Sequence, residues 1–203
     1  MRKIQFLAGL LFMTGFAMTV NSTEIKDKDG FSFTIPDGWV QIPQKVIDQV
    51  MTQYRKMSPQ FKTLKYNYAF QRANQKGWFV YPYIVVQIRK TGKIPEKYLN
   101  NFRKVEKDIQ KGADKAQKGM QNKVSGTMKN TVYDKMNSIL WSEMDANVKG
   151  VGKIKGLTAM KLTRFGTIQF VISASDKDYP KCEKEFRRMV WKMKVDPKIK
   201  YKP

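Results

Sequence analysis

Cys182, with Glu183 and Glu185 beside it and Asp176 and Asp178 just upstream, is the group best suited by residue type to do chemistry in this sequence. A thiolate is a nucleophile, and paired carboxylates can divide acid and base work. Activation is the obstacle. The chain contains no His, so the commonest general base and transition-metal ligand is missing, and any thiol activation falls to a Lys. Ser-His-Asp triads, HExxH zinc sites and Cys/His fingers cannot be built from this chain alone. Cys182 also falls on an apolar helical stripe, which predicts a buried thiol; as the lone Cys it has no internal disulfide partner, and pairing between chains is the alternative. The four carboxylates stand among lysines and read as surface ion pairs.

Two loop motifs fail on spacing. In Asp27-Lys28-Asp29-Gly30 a calcium loop would need ligands at Ile25 and Pro36, so the segment reads as a turn. Gly150-Val151-Gly152 with Gly156 misses the dinucleotide spacing by one residue and leads into a strand instead of a helix. No metal or cofactor site is expected.

Charge is the stronger signal. Lys and Arg number 39 against 17 Asp and Glu, a net charge of +22. Lys104, Lys107, Lys111, Lys115 and Lys118 recur on one side of a predicted helix over 95–118, with Tyr98, Phe102, Val105, Ile109, Ala113 and Ala116 on the other. Such a ridge, aided by Lys153, Lys155, Arg187, Arg188, Lys192 and Lys194, suits an anionic envelope component, an acidic protein or a peripheral membrane contact; a solvated face is the plainer reading. The excess of Lys over Arg weighs against nucleic acid. A second feature is the aromatic run Trp78, Phe79, Tyr81 and Tyr83, broken by Pro82, which could line a groove for a partner or ligand or pack at the start of a central strand.

The elements that must position these residues read as strands punctuated by three helices. Residues 1–22 form a secretory signal: Arg2 and Lys3, an uncharged run over 4–20, and a cut expected before Thr23. Residues 23–203 then make a single domain, periplasmic or secreted; retention of the run as an inner-membrane anchor is the alternative. Phe31, Phe33 and Ile35 alternate before Pro36-Asp37-Gly38 and Trp39 to Ile42, predicting an N-terminal hairpin. A helix follows Pro43, carrying Val46, Val50, Met51 and Tyr54. Leu64, Tyr66, Tyr68 and Phe70 predict one face of a strand whose partner bears Ile84, Val86 and Ile88. Four strands over 124–132, 138–148, 154–165 and 167–175 precede a closing helix with Cys182, Phe186, Met189, Val190 and Met193 inward.

This order of elements, with the opening Phe31, Phe33, Pro36, Gly38 and Trp39, resembles the PsbP-like family. The resemblance implies an α+β fold, an antiparallel sheet flanked by helices in an α/β/α sandwich that the family shares with a nuclear Ran-GTPase-binding factor. It implies accessory or binding roles without a shared catalytic constellation, and the export signal puts Ran binding out of reach. The expectation is an exported, non-catalytic binding protein; a membrane-tethered accessory subunit and a hydrolase using a Lys or carboxylate base are the alternatives.

Overall fold

The computed structural model describes residues 23–57, 64–94, 107, 111, 124–148 and 150–196. Seven strands form one antiparallel sheet in the order β3-β4-β5-β9-β8-β7-β6: β3 (Trp39–Gln41), β4 (Tyr68–Arg72), β5 (Tyr83–Arg89), β6 (Val124–Asp134), β7 (Ile139–Val148), β8 (Gly152–Leu162) and β9 (Thr167–Ser175). A three-stranded sheet of β1 (Glu24–Lys26), β2 (Phe31–Thr34) and β10 (Lys194–Val195) lies beside helix α2 (Tyr179–Trp191). Helix α1 (Gln44–Met57) packs on β4. The result is the expected α/β/α sandwich.

Each face of the large sheet carries its own core. Phe33 meets the rings of Phe70 and Phe170 edge-on at 5.7 and 5.2 Å, and Cys182, Phe186, Met189 and Val190 of α2 close the same cluster. Across the sheet, Ile47 and Met51 of α1 are buried with Ala69 and Val85. β5 supplies Ile84 and Val86 to one core and Val85 to the other, because successive side chains leave a strand on opposite faces.

The expected N-terminal hairpin does not form. β2 pairs with β1 across Asp27-Lys28-Asp29-Gly30 and with β10, whereas Trp39 pairs with Arg72 in the large sheet. Pro36-Asp37-Gly38 is therefore the crossing between sheets, closed by the Trp39 N–H donating to the Pro36 carbonyl. The expected one-sided strand is also corrected. Leu64 and Tyr66 precede β4 and pack on the α1 core, while Tyr68 and Phe70 face the α2 core. The strands expected over 138–148 and 167–175 match β7 and β9 closely; β6 runs two residues further than expected. Gly166 takes φ +142° in the β8–β9 turn, where a Cβ would lie 1.9 Å from the Arg89 carbonyl oxygen. The leader over 1–22, the lysine-bearing segment apart from Lys107 and Lys111, and the tail from 197 lie outside the described residues.

Candidate anion-binding face

α2 begins at Tyr179-Pro180, where Pro suits the first turn of a helix, and is held down by Tyr179, Cys182, Phe186, Met189 and Val190. At 3.6 residues per turn, Lys181, Lys184, Arg188 and the C-cap Lys192 then share about a quarter of the circumference on the side away from the core, with Lys177 in the turn just before the helix. All five are exposed, and none makes an ion pair among the described residues.

Three of the neighbouring acids, Glu185, Glu183 and Asp176, are drawn into ion pairs with other cations, while Asp178 and Asp37 stand beside the row. Glu185 accepts from Arg72 Nη2 at 2.6 Å and from Trp39 Nε1 at 3.0 Å, and the Arg72 guanidinium lies over the Trp39 ring at 4.7 Å. Glu183 accepts from Arg187 Nε at 2.8 Å, and Arg187 also reaches Glu143 while stacking over Trp141. Asp176 pairs with Lys155 at 2.9 Å, and Asp178 accepts from the Ser175 hydroxyl at 2.6 Å. The sequence shows mixed charge over 176–192; in the fold Glu183 and Glu185 are paired, and the outward row of α2 is cationic, with Asp178 beside Lys177 and Lys181 and Asp37 beside Arg188 and Lys192. The signal was the spacing 177, 181, 184, 188, 192, hidden by the interleaved glutamates.

Of the ridge expected on the middle helix, Lys107 and Lys111 are helical and exposed, while Lys104, Lys115 and Lys118 lie outside the described residues. The aromatic run is brought together at the head of β5. Phe79 meets Tyr83 edge-on at 5.6 Å, Tyr81 stacks on Tyr83 at 5.1 Å, and Phe79 and Tyr83 join the α1 core with Tyr54 and Tyr66. Burial there pushes the Tyr66 and Tyr83 phenols well above their ordinary range. Trp78 alone of the four is largely exposed.

The residues weighed for catalysis are engaged in structure. Burial pushes the Cys182 thiol up, partly offset by the Arg72 guanidinium 3.9 Å from Sγ, so it is a poor nucleophile at neutral pH. Burial lowers the Lys161 ammonium, the character a lysine base requires, but its Nζ donates to the Asn137 carbonyl and so fastens the β6–β7 turn to β8. Among the described residues no three of Cys, Asp and Glu converge as metal ligands.

No protein family and no curated protein matches the chain in sequence. In three dimensions it is similar to the solution structure of cyanobacterial PsbP (CyanoP) from Synechocystis sp. PCC 6803. The TM-score is 0.57 at 15% identity, covering 93% of this chain and 100% of that one. At that identity the likeness is one of fold, and it agrees with the sandwich implied by Phe31, Phe33, Pro36, Gly38 and Trp39.

Proposed function

We propose that the protein is an exported, non-catalytic binding or accessory protein of the cell envelope that docks through its basic surface onto an anionic partner. The observation that carries this reading is the row Lys177, Lys181, Lys184, Arg188 and Lys192, left without an ion pair among the described residues while Glu185, Glu183 and Asp176 are paired with Arg72, Arg187 and Lys155. Each such cation next to an anionic surface contributes about 1 kcal/mol, and clustering on one rigid helix lets the terms act together. The lysines expected over 104–118 would extend the same character, and the net charge of +22 adds long-range attraction.

The test separates this face from bulk charge. Binding to soluble polyglutamate is compared between a triple variant Lys181→Glu, Lys184→Glu, Arg188→Glu and a control triple, Lys45→Glu, Lys65→Glu, Lys76→Glu, whose target residues are also exposed. The two have equal net charge. The expected result is a loss several-fold greater for the α2 triple; equal losses would assign binding to overall charge and remove the face from consideration.

A further inference from the structure

Beside its cations, the C-terminal end of α2 carries an exposed apolar tip. Trp191, Val132 and Met136 are 52%, 59% and 96% exposed. Val132 stands opposite Trp141 across β6 and β7, and the Trp141 ring meets Trp191 at 5.9 Å. The Trp191 side chain also hydrogen-bonds to Asp134, two residues before Met136 in the β6–β7 turn. The tip is thus assembled from two elements and held in place, and Lys135, Arg188 and Lys192 border it in sequence or one helical turn away.

The chain enters the domain on the same side. The Thr23 carbonyl accepts from the Ile35 N–H, and Ile35 shares a hollow with Arg188 and Lys192. Residues 4–20, which precede this point, contain no charge.

We propose that this face is a docking surface for an anionic phospholipid bilayer, with α2 lying along the headgroups and Trp191, Val132 and Met136 seated at the membrane–water boundary. It rests on the reading of α2 as a basic binding face and names the partner. An acidic soluble protein would need only the cations. A bilayer uses both halves of the arrangement, since lysines are drawn to anionic headgroups and an indole with one polar edge prefers the interfacial layer.

The purified protein is sedimented with vesicles of phosphatidylcholine containing phosphatidylglycerol, with phosphatidylcholine alone, and in parallel titrated with polyglutamate, each at physiological and high salt. The anionic vesicles are expected to bind more than about tenfold better than neutral ones, and Lys181→Glu, Lys184→Glu, Arg188→Glu to cost more than about a hundredfold. Val132→Thr with Met136→Ser, both at exposed positions whose change leaves the core intact, is expected to cost about three- to tenfold on vesicles and nothing on polyglutamate. Lipids brominated in the acyl chain should quench the emission, and Trp191→Phe should remove most of that quenching. Polyglutamate binding without vesicle binding, or vesicle binding indifferent to Val132, Met136 and Trp191, would overturn the bilayer proposal and leave an acidic protein as partner. Binding to neither would overturn the basic-face reading itself.

Discussion

Lys181→Glu should make the protein more stable and less able to bind. Lys181 is the third residue of α2, whose first turn contains no acidic residue, and the N-cap Asp178 makes no capping bond with its side chain. A cation therefore sits where the helix's free N–H groups present positive potential, an arrangement that costs about 0.3–1 kcal/mol. Replacing it with Glu removes that term and adds a favourable one of similar size. It also turns the like-charge pair with Lys184, three residues away, into an attractive one, a shift of a few tenths of a kcal/mol. The new carboxylate faces Glu185 at i+4, but that residue is already paired with Arg72. The net gain is about 1 kcal/mol, which for a domain of this size raises the melting midpoint by about 2–4 °C. On an anionic surface the same change loses one attraction of about 1 kcal/mol and adds a comparable repulsion, close to a thirtyfold loss. Lys45→Glu, in the equally acid-free first turn of α1 and on the far side of the sheet, supplies the binding control: a smaller gain in midpoint, because the new carboxylate meets Asp48 three residues on, with little loss on vesicles. Thermal unfolding by circular dichroism and vesicle sedimentation measure the two quantities. A lowered midpoint for Lys181→Glu, or a binding loss no larger than that of Lys45→Glu, refutes the reasoning.

Other consequences concern the frame that holds the face. Gly166→Ala places a methyl group against the Arg89 carbonyl in a backbone conformation L residues rarely adopt, so on the order of 3 kcal/mol of stability should be lost in urea unfolding. Arg72→Ala removes the cation from a largely shielded pair with Glu185 and uncovers the Trp39 ring; a loss of about 2 kcal/mol is expected, and Glu185→Gln on the same background should recover part of it by relieving the stranded charge. Hydrogen bonds from Asn137, then from Trp191, with Lys161 nearby, hold the Asp134 carboxyl below its usual 3.8. A depressed carboxylate contributes stability above its unfolded pKa and loses it as pH falls through the folded one, so Trp191 emission should be constant from pH 8 to 5 and change only below about pH 4. In Asp134→Asn that acid step should vanish.

The sequence yielded the sandwich where local pattern and tertiary partner agree. β9 alternates Ile168, Phe170 and Ile172 between two other strands, and α2 repeats its apolar stripe against the sheet, so periodicity alone places both. It failed at β2, because Phe31 and Phe33 alternate equally well in a hairpin with β3 or between β1 and β10. The choice was made by Lys194–Val195, far along the chain, and no local residue records it. The same limit applies to the site. Arg187, Arg188, Lys192 and Lys194 were legible as basic, but Glu183 and Glu185 just before them read as surface ion pairs with the lysines around them. Glu185 leaves the row only because Arg72 and Trp39, 113 and 146 residues away in sequence, reach it across the sandwich. The apolar tip was hidden for a like reason, being split between a turn and a helix end.

The long-range pair of Glu185 with Arg72 explains how α2 stays folded while carrying a cationic row. Within the row, Lys184 and Arg188, and Arg188 and Lys192, are each four residues apart, so each pair repels by a few tenths of a kcal/mol, and Lys181 adds an unfavourable helix-end term. Neutralising the row with Glu183 and Glu185 would relieve this strain and erase the face. The fold instead commits Glu183 to Arg187 within α2 and Glu185 to Arg72 of β4, the second pair fixing α2 to the sheet, and supplies the helix's stability from the buried side of Cys182, Phe186, Met189 and Val190. An anion brought against the row would relieve the repulsion that remains. Binding and stability are thereby coupled: whatever covers the row also removes the cost of having it.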